Sequence, residues 1–279
     1  MIREASRSLG IARIALGTVF VFRTTPLANC YPSPLCWVQG PLFGWPVPGW
    51  HAAWLGLALP PLVVACLCVV RTAAAVLFTL GIATRAAGLT ASLCGLAVLA
   101  QDTFAFSFTR YLLFVGTGLL AIADGGGALA LLPAPVQDAR ASLLLIRSFV
   151  ASIYAWSAIA KLHPAWLTGR TLGALHAGQF LRGSLIDFVT RAESTRVAAS
   201  ISIVVVEMSL GPLLLACRTR AVGLAAALIM HALYEVSAQP DVMGLVMLSL
   251  LSAFLPLRAG PSEEGQRALT HLSAYDGWR

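Results

Sequence analysis

Residues 60 to 83 read PPLVVACLCVVRTAAAVLFTLGIA and hold one charged side chain in 24 positions. A run of this length meets the roughly 20 apolar residues needed to cross a hydrocarbon core, where every backbone polar group must be satisfied inside a helix or a closed barrel. The run is continuous and rich in Ala, Leu and Val, without the alternation of a barrel strand, so it predicts a helix. Similar runs recur near 9–24, 86–101, 111–132, 143–162, 197–217, 221–236 and 242–257. The expected fold is an all-α polytopic transmembrane bundle of about eight helices, one membrane domain over 1–257 followed by a polar tail over 258–279. A soluble globular domain is excluded, since such domains carry about 25 % charged residues and this chain carries 11 %.

The net charge of +7 comes from arginines scattered singly between apolar runs, not gathered on one face, which argues against nucleic acid as a partner and for the lipid bilayer. Eight crossings would bring Arg3, Arg7, Arg85, Arg140, Arg218, Arg220, Arg258 and Arg267 to one side. The positive-inside rule makes that side cytoplasmic, so a cell inner membrane protein with both termini cytoplasmic is expected. The amino terminus has the basic start of a signal peptide, and LANC at 27–30 is faintly like a cleavage box. Arg13 within the apolar stretch and Asn29 at the box argue instead for a first membrane helix.

Residues 24 to 59 contain no Lys, Arg, Asp or Glu, as an external loop should. The loop is dense in Pro and Gly, with Trp45, Trp50 and Trp54 as interfacial anchors. It also holds Cys30 and Cys36 on the side where disulfides persist, either as a structural bridge or as a redox pair. The segment 163–196 is anomalous, because Arg170, Arg182, Arg191 and Arg196 fall on the outer side. Pairing with Asp187 and Glu193, or a polar site, are the alternatives.

Charged groups within a membrane cost about 2.5–3.5 kcal/mol each on insertion scales and tend to find partners and mark function. Arg13, Arg71, Arg147, Glu207 and His231 fall inside apolar runs, and Lys161 ends the fifth. Lys161 is the only lysine beside 18 arginines. Arginine stays charged almost everywhere, whereas lysine can give up its proton and serve as a base. The bland alternative is a snorkelling anchor at a helix end. Arg147 and Tyr154 precede Lys161 by 14 and 7 residues and share its helical face. Glu207 is expected either to pair with an intramembrane arginine or to be protonated and hydrogen-bonded. A lone helical histidine such as His231 is often a hydrogen-bonded core group. The five histidines are dispersed and no His and Cys set has ligand spacing, so no metal is expected. Cys66, Cys68, Cys94 and Cys217 read as small buried apolar residues. Neither a phosphate loop nor a nucleophile elbow is present.

The stretch IRSFVASIYAWSAIAKLHPAWLTG, 146–169, resembles the membrane domain of vitamin K-dependent γ-carboxylase and its bacterial relatives, the horizontally transferred transmembrane domain (HTTM) proteins. The shared features are an Arg, a Tyr and a Lys-Leu-x-x-x-Trp-x-x-Gly run in that order. RIALG at 13–17, LGIATR at 80–85, RYLLF running to Asp124, EMSLGPLLL from 207, RTRAVGL from 218 and a histidine in the next helix extend the resemblance over most of the chain.

The resemblance implies that Lys161 is a base acting on a quinol or peptide at the outer face, with Arg147, Tyr154 and His231 as further catalytic groups. It also implies Glu207, Trp166 and Arg170 as substrate-binding groups, a reduced, vitamin K-like quinone as cofactor, and a secreted peptide or protein as substrate. Two departures speak against γ-carboxylation itself: Thr109 stands where the carboxylase has a histidine, and the chain ends about 20 residues past the last apolar run. The same family contains an accessory protein for a sporulation-delaying toxin. A non-catalytic maturation, export or immunity factor is therefore the second expectation, and a thiol redox protein using Cys30 and Cys36 the third.

Overall fold

The computed structural model describes residues 2–24, 59–100, 108–123, 127–133, 138–237 and 243–255. Cys30, Cys36, the three loop tryptophans and the tail from 258 lie outside the described residues. The elements are α1 (Ile2–Thr24), α2 (Pro61–Leu80), α3 (Thr84–Leu99), α4 (Phe108–Ile122), α5 (Ala139–Ala160), α6 (Pro164–Leu167), α7 (Arg170–Ala177), α8 (Ser184–Arg191), α9 (Glu193–Leu215), α10 (Arg220–Ser237) and α11 (Met243–Leu251), closed by a 3-10 turn over Ser252–Phe254. No strand occurs among the described residues, and the all-α bundle is as expected.

Four helices are long and apolar enough to cross a membrane: α1, α2, α5 and α9. Thr84–Leu99, Phe108–Ile122 and Met243–Phe254 are apolar but shorter. Helix boundaries follow local chemistry. Gly81 adopts φ 77°, and its N–H closes onto Leu77 and Phe78, ending α2 three residues before the expected 83. The fourth run stops at Ile122 and not at 132, and residues 131 and 132 instead donate backbone hydrogen bonds to Leu80 and Gly81 at the end of α2.

Helix α1 runs through the core. Leu9, Ala12, Leu16 and Phe20 recur at helical spacing and are fully buried against α2, α4, α5 and α11. Arg13 is buried on the same face and donates to the carbonyl of Leu129, holding the 127–133 segment against the bundle. Helices α2, α3 and α4 pack in sequence on one flank, and α5, α9 and α10 form the other. On α9 the buried residues Ser200, Val204, Glu207, Gly211 and Leu214 form a stripe, while Ile201, Val205, Val206 and Met208 face outward. Gly211 allows close approach to α5: a Cβ there would stand 3.3 Å from the carbonyl oxygen of Ala151.

Candidate functional site

The site is built on the turn that reverses the chain between α5 and α9. Asp138 starts α5 by accepting from the N–H groups of Arg140 and Ala141, both at 3.0 Å. Lys161 ends the helix as its C-cap, and the His-Pro pair explains why: the residue before a proline is driven out of the helical region. His163 is extended at φ −104°, ψ 142°, its Nδ1 accepts from Ala165 N–H at 3.2 Å, and Pro164 opens α6 at its first position. Gly169 then turns the chain at φ 71°. A Cβ on Gly169 would come within 2.8 Å of the Arg196 Cβ on α9, so both conformation and space call for glycine.

Lys161 and Glu207 meet inside this turn. The lysine Nζ donates to both carboxylate oxygens of Glu207, at 2.7 and 2.9 Å, and to Ser157 Oγ at 2.5 Å, with Ser157 O at 3.3 Å. The Lys161 side chain is 18 % exposed and that of Glu207 4 %. Three N–H donors are thus shared among four acceptors. Glu207 pairs with the lysine and not with an intramembrane arginine, because α5 and α9 pack along their length and bring the end of one to the middle of the other. The lysine stem turns inward toward this carboxylate.

Trp166 closes one side. Its ring lies 5.4 Å from the Lys161 ammonium, and its Nε1–H donates to the carbonyl of Ser200 on α9 at 3.2 Å. Two helical turns below Lys161, the Tyr154 hydroxyl and His231 Nε2 are hydrogen-bonded at 2.8 Å. Both side chains are buried, and the other imidazole nitrogen, Nδ1, has no hydrogen-bond partner. Tyr234 follows His231 by three residues, with ring centroids 6.4 Å apart.

The remaining expected residues lie apart. Arg147 shares the face of Lys161 but sits four turns away, about 21 Å at 1.5 Å per residue. It donates to the Ala253 carbonyl at 3.0 Å and stacks 5.5 Å over Phe254, so the structure does not bring it to the lysine. Arg170 is exposed on α7. Of the anomalous segment, His176 lies 3.6 Å from Asp187, and Arg196 donates to the Thr190 carbonyl at 3.3 Å. Ser157, Ser200 and Tyr234 were not anticipated. Ser157 was findable, being four residues before Lys161 on its helix, and Tyr234 likewise from His231. Among the described residues, no three His, Cys, Asp or Glu side chains converge to hold a metal.

An all-α bundle with several apolar spans and a half-buried lysine paired to a buried carboxylate defines a polytopic membrane protein with a polar interior. The HTTM domain profile matches residues 3–257, and the chain belongs to that family, a membrane protein of the carboxylase-related kind. No curated protein and no solved structure matches the chain.

Proposed function

We propose that the protein is a membrane enzyme in which Lys161 accepts a proton from a substrate bound where α5, α6 and α9 meet. The observation that carries this reading is the two-pronged contact between Lys161 and Glu207. In this reading Glu207 is the relay for Lys161: the proton leaves Nζ for the carboxylate along the 2.7 Å contact, and the lone pair so exposed on Nζ takes the substrate's proton. Arginine could not take part, which accounts for one lysine among 18 arginines.

The donor set suits a phenolic or carbonyl group. The amine receives a proton, the Trp166 face supports an apolar ring, and Tyr154 with the unpartnered His231 nitrogen offers polar contacts one to two turns deeper. A reduced quinone, when bound, would supply an acidic hydroxyl and a reducing ring; a secreted peptide is the other substrate class. Arg147 and Arg170 take no part in proton transfer in this reading. The distribution of arginines supports a cell inner membrane location, cytoplasmic termini and a site at the outer face.

A second reading is favoured by one observation. Every N–H of Lys161 already has an acceptor, as in a structural tie holding α5 to α9. The protein is then a non-catalytic maturation, export or immunity factor for a secreted peptide. Mass spectrometry of the lipids and peptides that co-purify with wild type and with Lys161→Ala separates the two. A quinone enriched in the wild type and lost in the variant supports the enzyme. A peptide retained equally by both, with no quinone in either, supports the factor.

A further inference from the structure

A second polar position lies on the other flank, among α1, α2, α3 and α4, and shares no residue with the Lys161 site. Arg71 stands halfway along α2, one of the helices apolar enough to span the membrane. Its side chain is 9 % exposed. Among the described residues, one of its five N–H donors has an acceptor: Nη2 donates to the Thr24 carbonyl, at the end of α1, at 3.1 Å. Nε is buried with no partner. The guanidinium lies 6.0 Å from the centroid of the Phe114 ring, which in turn packs 5.2 Å from that of Phe20. The charged or titratable groups acting on it are Cys68, Cys94 and a second guanidinium, Arg110; no described carboxylate is among them.

This differs from the half-buried lysine of the site flank. Lys161 has a carboxylate, whereas Arg71 has one carbonyl and an aromatic face. A permanently charged group midway along an apolar helix calls for an anion, and Arg71 presents the Nε side of its fork unused. A planar or tetrahedral oxyanion accepting from Nε–H and the adjacent Nη–H would satisfy it in the usual bidentate way. The surroundings restrict what carries that oxyanion. The rings of Phe20 and Phe114, themselves buried, make the surroundings of the guanidinium apolar, which suits an oxyanion carried on an alkyl chain and entering from the lipid.

We propose that Arg71 is the centre of a binding site for a single-chain amphiphilic oxyanion, a carboxylate or a phosphate monoester, held between α1, α2 and α4. The carboxylate would come from a fatty acid and the phosphate from a lipid headgroup.

The test uses the full chain purified in a neutral detergent, with dodecanoate, dodecyl phosphate and dodecanol as probes. Both binding and thermal unfolding are followed. At least one anion is expected to bind saturably and raise the unfolding temperature, while dodecanol, with the same chain and no charge, does neither. Protection by dodecanoate alone identifies the carboxylate source, and protection by dodecyl phosphate alone the phosphate source. Arg71→Gln is expected to bind the effective anion at least tenfold more weakly, and Arg191→Gln, an exposed arginine far along the chain, to bind as the wild type does. Equal protection by dodecanol, no protection by either anion, or undiminished binding to Arg71→Gln overturns the proposal. Should Arg71→Gln fail to fold, the contrast between anions and alcohol on the wild type decides alone.

Discussion

Lys161 and Glu207 are 46 residues apart, and the lysine Nζ lies within 2.9 Å of both oxygens of the glutamate. The contact joins the C-cap of α5 to the middle of α9. It fastens one helix to the other and, in the proposed function, also exchanges a proton, and the two roles respond differently to substitution.

As a fastening, the pair loses most when one member is removed. Lys161→Met or Glu207→Leu alone strands a charge in a site only partly open to water, at a cost of about 3 kcal/mol. The double variant removes both charges and should regain most of that loss. Thermal or denaturant unfolding of the three variants beside the wild type measures it. A double variant as unstable as the sum of the singles would mean that the charges do not interact.

As a proton acceptor, Lys161 tolerates no permanent cation. Lys161→Arg keeps a donor fork for Glu207 and should remain within about 1 kcal/mol of wild-type stability, yet lose turnover by about 100-fold or more, the usual contribution of a general base. Retained turnover in that variant would return Lys161 to an anchoring role and favour the non-catalytic reading.

Much of the fold was legible because lipid leaves few options: uninterrupted apolar runs of spanning length must be helices. Arg147, Tyr154 and Lys161 recur at seven-residue spacing along one helix, which is legible in the sequence. Four turns separate Arg147 from the lysine, so Arg147 meets Ala253 and Phe254 at the other end. The partner of Glu207 was not legible, since spacing within one run says nothing about which other run packs against it. The segment 163–196 carried no spanning pattern, yet folds as three short helices. Its breaks at His163-Pro164 and Gly169 are local signals that could have been used. The partners of Arg71 depend on where α1 ends, which no periodicity states.

Gly169, the final glycine of the motif, is required both by backbone conformation and by space. At φ 71° an alanine pays about 1–2 kcal/mol for the left-handed backbone. Its methyl must also displace Arg196. Gly169→Ala should thus lower stability by more than about 1 kcal/mol and loosen the seat of Trp166 on α9. Amide exchange across residues 162–170 reads both effects. Unchanged protection there would show that the turn does not depend on this glycine.

The Tyr154–His231 hydrogen bond offers a sharper distinction between structure and chemistry. Tyr154→Phe keeps the ring and its packing but removes the one hydrogen-bond partner that the imidazole has among the described residues, its Nδ1 being unpartnered there. A buried polar group left in that state costs about 1–3 kcal/mol. Replacing both residues, as Tyr154→Phe with His231→Leu, takes away the stranded group and should restore most of the stability. If the pair only holds α5 to α10, this double variant will also retain function. If it contacts substrate, the double variant will be stable and yet impaired, with the loss appearing in KM when the contact binds the ground state and in kcat when it serves the transition state. Measuring stability and turnover on the same preparations therefore separates a structural hydrogen bond from a substrate contact.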